Sequence, residues 1–369
     1  MTASLQELDD LRATLRKFLE AKTPEHRVRE LIESPDAFDT ALWAEMSTLG
    51  LHALAVPERF GGEGAGFPAL AIVFEELGRA LAPTPFFANF VAIQALLLAG
   101  DDRECERRLP RFADGSFRGT VGVAERDGSW DPAMISTRAT EQPDGSWRVT
   151  GTKSWVPNAT TAHLVLVFAR TLSGPTLFAV DAAEPGVEIE PMRVLDATRP
   201  LATIRLNSAL AQPVGRQGAG GRALSRLLDL ASLALSSEQV GAAQRCLEMS
   251  VEHAKVRVQF GRPIGTFQAV KHLCAEMLAH VELARAATDD AVRVAPETSA
   301  ESAIASAAAH ITASAGAAFV ARETIQVLGG IGFTWDHPAH LYFRRAVASE
   351  MLLGGPALRY ERLLERLGI

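Results

Sequence analysis

Two long stretches with helical apolar spacing, about 223–255 and 268–294, are joined by one short hinge, Arg257-Val-Gln-Phe-Gly-Arg-Pro-Ile-Gly-Thr-Phe-Gln268. Helices of that length with so short a connection pack antiparallel, so the hinge forms one end of a helical bundle. The glycines and Pro263 account for the turn; Arg257, Gln259, Phe260 and Gln268 are not needed for it. Two readings of these four stand. One is a solvated helix-end arginine beside a buried phenylalanine. The other is a cationic group, amides and a ring at a helix start, arranged for a ligand that carries phosphates and a ring.

At 369 residues the chain exceeds one ordinary core, so two or three packed units are expected. Its 47% hydrophobic and 22% charged residues describe a soluble globular protein. A net charge of −7 with scattered Lys and Arg offers no basic face to a nucleic acid. Residues 88–100 read as the longest apolar run, too short to span a bilayer. The first ten residues lack the basic and apolar regions of a signal peptide. Cys105, Cys246 and Cys274 are too few and too separated for a disulfide frame or a zinc site, and read as small buried side chains in a reducing cytoplasm.

Residues 1–115 read as helical, with segments at 5–19, 41–49, 68–81 and 88–98. The loop Val56-Pro-Glu-Arg-Phe-Gly-Gly62 is rich in glycine, but it lacks a P-loop lysine and any surrounding βαβ unit. Over 116–216 the texture changes to short runs of Val, Thr and Ile cut by Gly, Asp, Asn and Pro. These runs lie near 119–123, 134–138, 147–150, 164–168, 175–180, 187–191 and 202–206, with a hairpin turn at Asp144-Gly145. The pattern predicts a small antiparallel β-domain. From 217 to 369 the chain reads as helices at 222–256, 267–295, 299–328 and 338–353, with a last one from Pro356. The fold class is therefore α+β, mostly α.

Arg257-x-Gln-Phe-Gly, then Phe267-Gln268-Ala-Val, then Gln326-Val-Leu-Gly-Gly-Ile-Gly-Phe333 resemble the acyl-CoA dehydrogenase family, as does Gly151-Thr-Lys-Ser-Trp155. The resemblance covers essentially the whole chain, and the helices, β-domain, four-helix-bundle order is the family's. It implies FAD-dependent α,β-desaturation of an acyl-CoA thioester, with an electron-transferring flavoprotein as the usual acceptor. Arg257, Gln259, Phe260, Gln268, Gln326, Gly329 and Gly330 then correspond to the residues that hold the pyrophosphate and adenine end of FAD in the neighbouring subunit. Trp155 corresponds to a residue beside the flavin ring.

The same resemblance locates what is missing. General-base catalysis typically contributes 10²–10⁴-fold, so a carboxylate is required. Leu353 stands where most of the family carries its glutamate, and Ala231 where other members place it; neither can take a proton. Glu238 lies seven residues beyond Ala231, roughly 10 Å along a helix axis. Glu350 lies one turn before Leu353, about 4–5 Å along the axis, and is the candidate for a displaced base. On the ring side, Ala124 replaces a hydroxyl. Pro157 removes a hydroxyl and a backbone N–H.

Groups that would serve a neighbour's flavin are kept, while those that would serve the chain's own are eroded. The expectation is a base-deficient subunit of an α2β2 acyl-CoA dehydrogenase with a paralogous catalytic chain, a type that resembles those acting on steroid and other bulky acyl-CoA substrates. The alternatives are a self-sufficient homo-oligomer using Glu350, and a non-catalytic acyl-CoA or flavin-binding scaffold. No metal site is expected.

Overall fold

A computed structural model describes residues 4–34, 36–297 and 299–369. Six helices come first: α1 (Leu5–Lys22), α2 (Glu25–Ile32), α3 (Thr40–Thr48), α4 (Gly66–Arg79), α5 (Phe86–Ala99) and α6 (Asp102–Ala113). Seven strands follow: β1 (Gly119–Gly122), β2 (Arg138–Glu141), β3 (Trp147–Pro157), β4 (Leu164–Thr171), β5 (Gly174–Asp181), β6 (Val187–Pro191) and β7 (Leu201–Val214). The remainder is α7 (Gly220–Val256), the two-residue strands β8 (Val258–Gln259) and β9 (Arg262–Pro263), then α8 (Gln268–Val294), α9 (Ala300–Leu328), α10 (Ala339–Met351) and α11 (Pro356–Leu367).

The chain divides into two compact units. One comprises Glu30–Gly66 and Pro83–Ala231; the other comprises residues 4–29, Phe67–Ala82 and Ser232–Ile369.

In the first unit the strands close on themselves. β2 pairs with β3, β3 with β7, β7 with β5, β5 with β4, and β4 returns to β2. Closure works because β1 and β2 share one edge of β4 in succession, both parallel to it, while the other pairs in the ring are antiparallel. Val149, Val165, Val167, Phe178, Val180, Ile204 and Leu206 make its buried core. The run near 134–138 is displaced: Pro132–Met134 form a 3-10 turn and the strand starts at Arg138. Proline at that point cannot donate to a ladder. The Asp144-Gly145 turn is present, with Gln142 N donating to Ser146 O at 2.7 Å and Gly145 at φ 82°.

In the second unit α9 packs against α8, α10 and α11. Its alanines permit close approach: Ala313 meets Val240 and Ala284, and a β-carbon on Gly316 would lie 3.2 Å from His280 O. The α4–α7 crossing is tighter. A β-carbon at Gly78 would fall 2.0 Å from Glu238 O, and one at Gly241 would fall 1.8 Å from Glu75 O, so only glycine fits. α10 ends at Met351, two residues earlier than the apolar spacing implies, which leaves Leu353 on a turn.

Among the described residues Ala300–Phe333, not residues 88–100, is the one helix long and apolar enough to cross a bilayer by length and composition alone. Half of its apolar window is buried. The buried face carries Ser302, Ser306, His310 and Ser314, side chains suited to a bundle interior.

Candidate functional site

In the second unit the bundle brings the hinge and the 326–333 segment to one end. Ser314 Oγ donates to Gln239 Oε1 at 3.1 Å, and ten residues later Thr324 Oγ1 lies 3.1 Å from Cys246 O and from Ser250 Oγ. α7 and α9 therefore run parallel and finish at the same end. Beyond Val256 the chain makes a hairpin, with Val258 opposite Pro263 and Gln259 opposite Arg262. Its tip is Phe260-Gly261, both at positive φ (53° and 79°), the backbone of a tight primed turn. Arg262 lies over the Phe267 ring at 4.3 Å, and Phe260 meets that ring edge-on at 6.0 Å. Gln268 then opens α8, with its Nε2 3.4 Å from His272 Nε2.

These side chains face outward. Phe260 is 91% exposed, which goes against the first of the two readings, a buried ring beside a solvated arginine, and Arg257, Gln259 and Gln268 are exposed too. Gly329 and Gly330 have open space where a β-carbon would stand, so a ligand can approach their backbone. Exposed amides, an arginine, unshielded glycine backbone and a helix start fit the phosphates and adenine of FAD.

The residues expected on the ring side lie in the first unit. Trp155 is half-buried at φ 54°, inside the register shift between Lys153 and Val156, and a β-carbon on Gly128 would stand 3.6 Å from its ring. Ala124 is buried, its carbonyl accepting from Ser154 N at 2.9 Å, and Pro157 O accepts from Thr120 Oγ1 at 2.7 Å. Neither Ala124 nor Pro157 has a side-chain donor to offer.

Beneath them is a buried ion pair not anticipated from the motifs. Lys153 Nζ donates to Glu125 Oε1 at 2.9 Å and to Val123 O at 3.1 Å. The same carboxylate accepts from Ser136 N at 3.0 Å and from Thr137 N and Oγ1 at 2.9 and 2.7 Å. Burial opposes the charge on Glu125, but Lys153 and these donors outweigh it and hold the carboxyl at about 2. Burial pushes Lys153 itself down despite its partner. Strand alternation was the available signal: Val149, Gly151 and Lys153 share one face, so Lys153 turns inward with Val149.

Each position expected to carry a base is apolar. Ala231 is 1% exposed on α7 and Leu353 is 5% exposed. Leu353 adopts φ 64°, costly for a branched side chain. Of the seven described non-glycine residues at positive φ, three are Trp155, Phe260 and Leu353. The turn at Leu353 is held by Arg359, whose Nη2 donates to the carbonyls of Ser349 (3.3 Å), Glu350 and Leu352 (3.2 Å) while Nη1 donates to Ser314 Oγ at 2.9 Å. Burial pushes Arg359 down to about 10. Glu350 is half-buried in the last turn of α10. Glu238 is buried against Arg345. Among the described residues no group of three or more His, Cys, Asp or Glu is placed to hold a metal.

Comparison with known proteins agrees with this layout. The family models for the N-terminal, middle and C-terminal domains of acyl-CoA dehydrogenase match residues 6–116, 120–208 and 218–367. The chain is 34% identical to acyl-CoA dehydrogenase IpdE2 of Mycolicibacterium smegmatis over 97% of its length and 98% of that protein's. Among solved structures it resembles a variant of the Tcur3481–Tcur3483 steroid ACAD at TM-score 0.89 and 34% identity, covering 98% of both chains. It resembles the ChsE4–ChsE5 complex of Mycobacterium tuberculosis at TM-score 0.90 and 28% identity, covering 99% of this chain and 98% of that one. The chain belongs to the acyl-CoA dehydrogenase family. It is an FAD-dependent oxidoreductase acting on acyl-CoA.

Proposed function

We propose that this chain is the base-deficient subunit of a two-component acyl-CoA dehydrogenase, and that it completes the FAD site of a homologous catalytic partner. The observation that carries the reading is the pairing of two buried apolar residues, Leu353 and Ala231, at the family's base positions with a fully presented hinge end. Arg257 would neutralise pyrophosphate charge, Gln259, Gln268 and Gln326 would donate or accept at the phosphates and adenine, and Gly329 and Gly330 would let their backbone approach. FAD supplies the oxidising power for α,β-desaturation when bound. The partner would supply the carboxylate and the ring-side donors that Ala124 and Pro157 no longer provide.

Two structural relatives are two-component assemblies by name, Tcur3481–Tcur3483 and ChsE4–ChsE5, and the first is a steroid ACAD. That supports a bulky acyl-CoA as substrate and a partner encoded as a separate chain. Electrons would leave the assembled enzyme to an electron-transferring flavoprotein. Glu350 favours a second reading, a self-sufficient enzyme, because it sits half-buried in the last turn before Leu353.

Co-expression with a homologous dehydrogenase encoded beside it separates the two. The first reading gives poor flavin retention by the chain alone and one FAD per two chains in the complex. The second gives one FAD per chain and acyl-CoA oxidation without a partner, abolished by Glu350→Gln.

A further inference from the structure

α10 begins under an imidazole. His337 Nδ1 accepts from Ala339 N, the first N–H of the helix, at 3.2 Å. A helix leaves its first N–H groups without partners inside the helix, and the side chains that usually accept them are those of Asp, Asn, Ser and Thr. Here the acceptor is a histidine. Ala339 is 0% exposed, so water cannot take the acceptor's place. The next turn closes by itself, with Leu341 N and Tyr342 N donating to Pro338 O at 2.8 and 3.4 Å. This cap is conditional, because Nδ1 accepts only while it carries no proton, and an imidazolium has an N–H on both nitrogens. The positive end of α10 also opposes a cation there.

We propose that His337 is an acid-released cap: neutral, it holds the start of α10, and protonated it lets go, loosening the chain between Phe333 and the second turn of that helix. The groups around it keep it neutral at ordinary pH. Burial disfavours the imidazolium most, Glu25 of α2 opposes that in part, and His253 and Arg245 of α7 with Arg29 of α2 add to it. Along its own segment Asp336 is exposed, the His340 ring meets Trp335 edge-on at 4.5 Å, and Arg344 lies over Trp335 at 4.8 Å. A histidine held below its unfolded value near 6.5 gives stability that is present above that value and is lost as pH falls through the folded one. Gln326, Gly329 and Gly330 lie on the stretch of chain just before this start. On the reading of the hinge end given above, acid therefore weakens the grip on FAD; the release of α10 stands without that reading.

The test is hydrogen exchange on the full-length chain at pH 8 and pH 5, the span over which an imidazole changes charge, read as protection factors corrected for the intrinsic pH dependence of exchange. Protection over residues 339–343 of the parent should fall roughly tenfold at the lower pH, the size of one hydrogen bond lost from a buried donor. His337→Asn keeps an acceptor two residues before the N–H at every pH and should stay protected at both; His337→Ala should show the low value at both. Protection of β3 and β7 reports that each variant is folded. Unchanged protection in the parent, or an equal fall in His337→Asn, would overturn the proposal. In the co-expressed complex the FAD dissociation constant should rise at pH 5 in the parent and less in His337→Asn. A cap that titrates while FAD binding does not would support the cap and overturn the reading of the hinge end.

Discussion

The Glu238 carboxylate on α7 accepts from the Arg345 guanidinium on α10, and each residue is 5% exposed. The acid seven residues from Ala231 is therefore committed to holding two bundle helices together. Removing one partner of a buried pair costs roughly 3–5 kcal/mol. Urea denaturation of Glu238→Ala should show a loss of that size. Adding Arg345→Met should recover part of it, and neither change should alter the hinge residues at the far end.

Arg257 is expected to matter only in the assembled enzyme. A hydrogen bond to a charged group is worth about 1.5–3 kcal/mol, so Arg257→Ala should raise the FAD dissociation constant of the complex about 10–100-fold. Equilibrium dialysis measures it. The melting temperature of this chain alone should stay unchanged, because Arg257 is exposed.

Arg359 closes the end of α10 with a cation on its last carbonyls, the sense that the helix dipole favours. Arg359→Met leaves those buried acceptors without a donor and should cost about 3 kcal/mol. Hydrogen exchange should quicken first around 349–355, since Leu353 relaxes out of its left-handed conformation once the clamp is gone.

His52 is held neutral. Burial, partly offset by the Trp43 carbonyl 3.0 Å from its Nε2, pushes it down to about 4. A depressed histidine contributes stability that is present above its unfolded value near 6.5 and is lost as pH falls toward 4, because the unfolded chain takes up the proton first. The loss amounts to about 3 kcal/mol. His310, buried in the other unit, acts in the same direction. Unfolding free energy measured from pH 7 to pH 4.5 should therefore fall, and His52→Phe should lower the slope by about one proton.

Much of this was legible in the sequence because the signals were local. The hinge, the glycines and the turn at Asp144-Gly145 rest on residues whose backbone needs are fixed by their own chemistry. What stayed hidden was long-range. Nothing near Lys153 in the chain announces Glu125, and nothing near Leu353 announces that Arg359 will hold three carbonyls before it. α2 and α6 were not separated from their surroundings, since eight residues of α2 are too few to show a period and α6 contains Pro110. Residue type alone left Phe260 open between a buried ring and a ligand contact, whereas its place at a turn tip exposes it.

The most direct measurement is exchange of the substrate's α-proton. This chain, purified alone and saturated with FAD, is incubated with an acyl-CoA in deuterated water without an electron acceptor, and deuterium at the α-carbon is followed by mass spectrometry. If Leu353 and Ala231 occupy the base positions as proposed, no exchange above the solvent background is expected, and the co-expressed complex should show it. Exchange by this chain alone that disappears in Glu350→Gln would contradict a missing base.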